Sequence, residues 1–437
     1  MRSQEPSRAP LGPEARGRVT RGNRKTVLVV VHTAASGRRL LEAVQLVQPD
    51  PRVQVLFTLA EDAYGDGEAE FMAGLGGVPL PWRRAVGEPF DLAVADGHGP
   101  VHELRAPLLV LGHGAHGAHG AHGAHGAHGA HGAHGAHGTY GTHGDGSGRF
   151  APRAPGRRVA CGHGAYGPDA QRLLRDGAVV PDAIVLPHRA DLGRLARECP
   201  QALPVAEVAG DPVYDRLAIS VPDRELYRRA LDVRPRQKLV AVGCAPGPES
   251  LSAAADLMSR LVRQLPASEY RVVALLHPGV WSAYGSWRVR AWLADSQRRG
   301  LQVVQPKDDW LGVLVAADFV VGDHGPAALY GAALGLPVLL AGSPPEHAVP
   351  GTPLGELAEI ASRINRHQPL AVQLARAAAA RGPEQRRRVT NMLTSAPGRF
   401  HRNLRRLMYR LMNLRQPACI PVATPVPMPF LTPYYGG

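Results

Sequence analysis

Polar residues that could take part in catalysis follow three apolar runs of the sequence. His113 follows APLLVLG, His277 follows YRVVALL, and Asp323-His324-Gly325 follows DFVVG. Continuous apolar runs of this length are typical of buried parallel strands. The carboxyl ends of such strands line the ligand crevice of α/β proteins. A histidine there can donate a hydrogen bond to a diphosphate or act as a general acid or base.

The segment at Asp323 resembles a phosphate-binding turn. Pro326 can start a helix, because the N–H that it lacks has no partner in a first helical turn. The other N–H groups of that turn attract a phosphate, and a preceding glycine lets the phosphate approach closely. We therefore predict four contacts to a donor nucleotide, from Asp323, His324, Gly325 and Ala327. An ordinary βα turn without a ligand is the alternative, since a lone glycine turn is a weak signal.

The elements that must position these residues alternate between strands and helices in two successive regions. Residues 25–209 contain the strand patterns KTVLVVV, VQVLFTLA, DLAVAD, APLLVLG and DAIVLPH, with a helix expected at PDAQRLLRDG. Residues 210–383 repeat the alternation after the segment VAGDPVYDRLAIS, beginning with KLVAVGC. This alternation predicts an α/β fold with two Rossmann-like domains. Because the phosphate-binding turn at Asp323 lies in the second region, we expect the second to be the nucleotide-donor domain and the first to be the acceptor-side domain. Two such domains joined by a short hinge form the B-type glycosyltransferase architecture, which binds ligands in the cleft between them.

The remaining segments are basic or of low complexity. We expect residues 1–24 to be a disordered basic tail and residues 417–437 to be a disordered, proline-rich tail. Residues 384–416 predict a basic amphipathic helical segment, whose apolar stripe is Leu404, Leu407, Met408, Leu411 and Leu414. Residues 399–415 could lie on an anionic membrane surface. Alternatively, the stripe could pack onto the first domain.

The net charge of +13 resides at the two ends of the chain. Residues 1–25 carry +5 and residues 384–415 carry +8, so the rest of the chain is neutral. This distribution argues against a nucleic-acid-binding domain, which would carry its basic patch on the folded body. Four cysteines without a CxxC pair predict neither a zinc site nor a disulfide framework. We expect a cytoplasmic protein, or one peripheral to the inner face of the plasma membrane.

A histidine repeat occupies much of the predicted loop at residues 112–150. Nine histidines recur at every third position from His113 to His137. Because a Gly-Ala-His repeat has no apolar face, it cannot form a core. We interpret His113 as part of the fold and the later triplets as a repeat expansion. A selected metal site is the less favoured alternative, and we assign no metal ligand and no cofactor.

Four segments together carry a resemblance to a known family. HGA at 113–115, GDPVYDRL at 210–217, HP at 277–278 and GDHGPAALYGAALGLPVLL at 322–340 resemble the CDP-glycerol glycerophosphotransferases, the teichoic-acid polymerases. The resemblance spans roughly residues 25–380. It implies a two-domain B-type fold that moves glycerol phosphate from CDP-glycerol onto a hydroxyl-ended polyol phosphate chain at the inner membrane face.

The resemblance also implies roles for individual residues. His113 matches a candidate general base on the acceptor side, and His277 matches a histidine that steadies the leaving diphosphate. Asp323 matches the aspartate of an Asp-Tyr-Ser-Ser signature, although His324, Gly325 and Pro326 replace the other three residues here. The expected activity is transfer from a CDP-activated or other nucleotide-diphosphate donor to a polyol-phosphate or glycan acceptor. A UDP-sugar glycosyltransferase and a catalytically degenerate nucleotide-binding scaffold are the alternatives.

We predict that deleting residues 116–137 leaves the fold and any nucleotide affinity almost unchanged. The cost of closing a surface loop grows slowly, by about 0.6 kcal/mol per doubling of its length. Thermal melting of the deletion variant and of the full chain checks this expectation. A melting temperature many degrees lower in the variant would show that the repeat is structural.

Overall fold

The computed structural model describes residues 24–61, 68–76, 78–96, 100–112, 173–244, 248–277, 280–281, 284–305, 310–342 and 351–430. These residues form two α/β domains, each built around a six-stranded parallel sheet. The α/β fold with two Rossmann-like domains is therefore confirmed. His113, the rest of the histidine repeat and both chain ends lie outside the described residues.

The first domain contains the sheet with the spatial strand order β2-β1-β3-β4-β7-β8. The order reverses between β1 and β3, which places a ligand crevice at their carboxyl ends. The strands of this sheet are β1 (Lys25–Val31), β2 (Val53–Leu59), β3 (Leu92–Ala95), β4 (Leu108–Leu111), β7 (Ala183–Leu186) and β8 (Ala206–Val208). A hairpin of β5 (Leu174–Arg175) and β6 (Ala178–Val179) precedes β7. The helices are α1 (Ala34–Val44), α2 (Glu68–Gly74), α3 (Trp82–Gly87) and α4 (Ala190–Glu198).

The second domain repeats this topology, with the strand order β11-β10-β9-β12-β13-β14 and the reversal between β9 and β12. Its strands are β9 (Lys238–Cys244), β10 (Tyr270–Leu276), β11 (Gln302–Val303), β12 (Phe319–Gly322), β13 (Val338–Leu340) and β14 (Ser362–Arg363). The helices from the hinge to the domain's second face are α5 (Pro212–Ser220), α6 (Arg224–Ala230), α7 (Pro248–Gln264), α8 (Ser286–Arg298) and α9 (Leu311–Ala316). The others are α10 (Pro326–Leu334), α11 (Pro353–Ile360), α12 (Leu370–Ala380) and α13 (Pro383–Leu393).

The central strands explain why the apolar runs predicted the fold correctly. Residues 27–31 of β1 and 239–242 of β9 are completely buried. Helices cover both faces of each sheet, so a residue on either side of these strands must be apolar. This double burial produces the continuous apolar pattern in place of alternation.

The segment PDAQRLLRDG does not end as a helix. Leu174–Arg175 and Ala178–Val179 pair as antiparallel strands, so the helix prediction is wrong for residues 174–177. Asp176 and Gly177 connect them with φ values of 50° and 79°. Two consecutive residues with positive φ form the tight hairpin turn that Asp-Gly favours. The earlier residues of the segment, 168–172, lie outside the described residues.

The C-terminal helix α14 (Phe400–Leu411) packs back onto the first domain. Leu404, Leu407 and Met408 are at most 1% exposed and belong to the same apolar cluster as the inward-facing valines of β1. The Tyr409 hydroxyl donates a hydrogen bond of 2.8 Å to Asp50. The structure thus shows the packing alternative, and the apolar stripe is not available to enter a lipid layer. Membrane association through the exposed arginines of this helix stays a prediction.

The proline-rich segment after α14 is ordered over residues 417–430, so the expectation of disorder is wrong there. Val426 is 2% exposed and its N–H donates to the Ser220 hydroxyl at 3.0 Å. The Tyr227 hydroxyl donates to the Val426 carbonyl at 2.6 Å. These bonds attach the segment to α5 and α6. Among the described residues, no helix combines the length and the apolar character needed to cross a membrane.

We predict that Leu407→Ala lowers the free energy of unfolding by about 2–5 kcal/mol, the cost of a large cavity in a packed core. Arg406→Ala is the matched control, because Arg406 is exposed on the same helix and its loss should cost less than about 0.5 kcal/mol. Urea denaturation of the two variants measures both values. Equal stabilities would mean that α14 does not contribute to the core of the first domain.

Candidate functional site

A cavity between the two domains is lined by residues from both of them. Gly112 and Pro187 follow β4 and β7 of the first domain, and Arg39 reaches it from α1. Asp211 at the hinge and Tyr330 in α10 contribute from the other side. We call this space the interdomain cavity. It lies at the carboxyl ends of the first-domain strands, where open α/β sheets bind their ligands.

The structure brings the predicted residues of the second domain to one edge of its sheet. Leu276 pairs with Cys244, and Gly322 pairs with Gly243, in the registers β10–β9 and β9–β12. His277 and Asp323 therefore follow strands on either side of β9, about 10 Å apart at the spacing of parallel strands. His277 is half-buried, as is Asp323. Asp323 lies at the point where the strand order reverses, and His277 lies one strand away from it.

Gly322 fixes the close approach of β12 to β9. Its φ is +154°, and a Cβ at this position would collide with the carbonyl oxygen of Gly243. The neighbouring Cys244 is 6% exposed. Burial, with a smaller contribution from the charge of Asp323, raises the pKa of the Cys244 thiol to about 12. The thiol is thus protonated at neutral pH and unsuited to act as a nucleophile.

Helix α10 starts directly after this edge. Gly325 is its N-cap and Pro326 is its first residue, as predicted. Gly325 has no side chain that could accept a hydrogen bond from the N–H groups of the first turn. His324 and Ala327 are 6% and 8% exposed and pack inward. The arrangement can bind a phosphate through backbone donors and the helix dipole.

Of the two candidate catalytic histidines, His277 is among the described residues and His113 is not. His113 lies outside the described residues, but Gly112, directly before it, lines the interdomain cavity. The N–H of Gly112 donates to the Val185 carbonyl at 2.9 Å, which extends the β4–β7 pairing to this residue. The chain therefore reaches the interdomain cavity at Gly112, one residue before His113. The role of His113 stays a prediction.

Three residues of the first domain form a polar group that the sequence analysis missed. His32 directly follows β1, and Asp96 directly follows β3. Nδ1 of His32 lies 4.0 Å from Oδ1 of Asp96, and Oδ2 of Asp96 pairs with the Arg39 guanidinium. The pattern that selected His113 and His277, a polar residue directly after an apolar run, would also have selected His32 and Asp96. VVVH and LAVAD are also apolar runs that end at a polar residue.

The hinge segment joins the two domains through buried carboxylates. Asp211 caps α5 by accepting the Tyr214 N–H at 2.8 Å, and it accepts the Tyr330 hydroxyl of α10 at 2.9 Å. Asp215 accepts the N–H groups of Gly398 and Phe400, at 2.5 and 3.1 Å, at the start of α14. Burial is the largest effect on both pKa values, raising that of Asp211 to about 7 and that of Asp215 above its usual range.

No protein-family model matches the chain, and no curated protein does. MnaA from S. aureus, solved with UDP, matches with 12% identity and a TM-score of 0.52, over 90% of this chain and 99% of its own. The wall teichoic acid polymerase TagF, in a variant soaked with CDPG, matches with 10% identity and a TM-score of 0.54 over 90% of each chain. This chain has the B-type glycosyltransferase fold. The resemblance to teichoic-acid polymerases is confirmed at the level of the fold.

Within the described part of the chain, no three His, Cys, Asp or Glu side chains are grouped as they would be around a metal ion. The histidine repeat lies outside it.

We predict that the free energy of unfolding of Asp211→Asn, relative to that of the parent chain, is higher at pH 8 than at pH 5. The pKa of Asp211 is about 7 in the folded chain, against an ordinary value of 3.8 for an aspartate. Folding therefore favours the protonated form, and this group's contribution to stability is lost as pH rises through about 7. The difference between the two pH values should be on the order of 2 kcal/mol in favour of the variant.

Urea denaturation of the variant and the parent chain at both pH values tests this. Asp223→Asn, on an exposed turn, is the control for a general effect of lost charge. A pH-independent difference for Asp211→Asn would contradict the raised pKa.

Proposed function

We propose that this chain is a transferase that uses a nucleotide-diphosphate donor, with CDP-glycerol as the favoured donor. The observation that carries the proposal is the placement of His277, Asp323 and the start of α10 at one edge of the second-domain sheet. The His277 imidazole and the N–H groups of a helix start can donate to a diphosphate, and Asp323 can accept from a hydroxyl group of the nucleotide. The B-type fold, shared with structures solved with UDP and CDPG, supports this assignment.

The proposed acceptor is a polyol phosphate or a glycan held by the first domain. Its hydroxyl oxygen attacks the phosphorus that bears glycerol, the bond from that phosphorus to the bridging oxygen breaks, and CMP leaves. His113 takes the proton of the attacking hydroxyl. His277 donates a hydrogen bond to the diphosphate as charge develops on the leaving group. Positioning both substrates in a cleft between domains supplies much of the rate enhancement of such a transfer.

A UDP-sugar glycosyltransferase is the second candidate, favoured by the match to the UDP-bound MnaA structure. The two activities release different products, CMP from CDP-glycerol and UDP from a UDP-sugar. A chain that binds CDP or UDP but releases neither product with any acceptor would instead be a nucleotide-binding scaffold. The same assay therefore separates the three functions.

We predict that His277→Ala and Asp323→Ala weaken the binding of CDP by about tenfold or more, since the first removes a donor to the diphosphate and the second removes an acceptor for a hydroxyl group of the nucleotide. His113→Ala should mainly lower the rate of CMP release and leave CDP binding intact. Calorimetric titration with CDP and a coupled assay for CMP measure the two effects. His367→Ala is the control, because His367 is exposed in the loop after β14.

The opposite pattern would contradict the assignment of the domains. Loss of CDP binding in His113→Ala, together with unchanged binding in His277→Ala, would place the donor in the first domain.

A further inference from the structure

The first domain has its own polar group at the reversal of its strand order. His32, Asp96 and Arg39 meet where β1 and β3 end. His32 is 6% exposed and Asp96 is 2% exposed. The proposed function assigns no role to any of the three residues. Because His32 and Asp96 are buried, they are not a cluster of solvated surface residues.

Two members of this group have hydrogen-bonding atoms to which no described residue is bonded. Neither ring nitrogen of His32 makes a hydrogen bond within the described part of the chain, and the same holds for Nε of Arg39. Buried polar groups in folded proteins are nearly always satisfied by protein, water or a bound ion. Leaving such a group unsatisfied costs about 1–3 kcal/mol. A ligand that accepts hydrogen bonds would remove this cost.

A capping box closes part of the start of helix α1. Thr33 and Ser36 form a reciprocal capping box, in which the Ser36 N–H donates to the Thr33 hydroxyl at 3.1 Å. The Ser36 hydroxyl in turn accepts the N–H groups of His32 and Thr33, at 3.1 and 3.2 Å. The capping box thus occupies the N–H groups of Thr33 and Ser36 at the start of α1. The side chains of His32 and Arg39 supply further donors beside this helix start.

Arg39 connects the group to the interdomain cavity. It lines that cavity together with Gly112 and Asp211, and one quarter of its side chain remains exposed. Asp96 pairs with one end of its guanidinium group, which fixes the group while leaving other N–H donors available. An oriented guanidinium beside an unsatisfied imidazole is a combination that binds phosphate groups.

We propose that His32 and Arg39 bind a phosphate group of the acceptor, with Asp96 as the residue that positions the Arg39 guanidinium. The ligand class is a phosphate monoester or diester carried by an alcohol, of which glycerol phosphate is the simplest probe. The phosphate could also belong to the donor, and the experiment below separates these two sources. The identification of the ligand as an acceptor rests on the proposed function, whereas the phosphate site itself does not.

The test is titration of the full chain with inorganic phosphate, glycerol 3-phosphate and CDP, followed by calorimetry. His32→Phe and Arg39→Gln should each raise the Kd for glycerol 3-phosphate by about tenfold or more, with the Kd for CDP unchanged. Arg38→Gln is the matched control, because Arg38 is the adjacent residue on α1 and is exposed. His32→Phe breaks no hydrogen bond between the imidazole and the described residues, so a loss of affinity in this variant is not expected from a structural role of His32.

Arg39→Gln removes the ion pair between Arg39 and Asp96. If the melting temperature of Arg39→Gln falls, the double variant Arg39→Gln with Asp96→Asn replaces it. Unchanged affinity for glycerol 3-phosphate in folded His32→Phe and in the double variant would overturn the proposal. So would a parent chain that binds neither phosphate nor glycerol 3-phosphate. A parallel loss of CDP affinity would assign the site to the donor and overturn the acceptor role. If the parent chain binds glycerol 3-phosphate but not CDP, the proposed function fails while the phosphate site stands.

Discussion

The arrangement of the two domains depends on the buried carboxylates of the hinge helix α5. Asp211 holds the start of that helix and the hydroxyl of Tyr330, while Asp215 holds the start of α14. Arg216 adds an ion pair to Glu42 of α1 and a hydrogen bond to the carbonyl of Thr424. A single turn and a half of helix thus contacts both domains and the C-terminal segment. Because an unpaired buried charge is costly, these contacts must form together.

The interdomain cavity follows from this arrangement. The hinge places α10 of the second domain beside the ends of β4 and β7, so that residues of both domains line one space. Gly210 makes the close crossing feasible, because its φ is +110° and a Cβ there would lie 2.8 Å from the Ala396 carbonyl oxygen. Arg39 of the first domain and Tyr330 of the second domain line this space together.

The sequence predicted the sheets well because their strands are buried on both faces. The apolar runs ending at His113, His277 and Asp323 identified real strands, and Pro326 correctly marked the start of α10. Local signals that were present but overlooked include Asp176-Gly177, which forms the turn of a hairpin, and the polar residues after β1 and β3. The order of residues 417–430 could not be predicted in this way. It depends on contacts with Ser220 and Tyr227, about two hundred residues away in the chain.

The return of α14 to the first domain has a consequence for how the protein is made on the ribosome. The core of the first domain includes Phe400, Leu404 and Met408 as well as residues near its beginning. A nascent chain that has exposed residues 25–209 therefore holds an open apolar face until residues 400–411 have been translated. Domains usually fold in the order of their synthesis, but here the second domain can complete its sheet before the first has its final helix. The first domain is thus the last to close, and its uncovered face is the surface that a nascent-chain chaperone would meet.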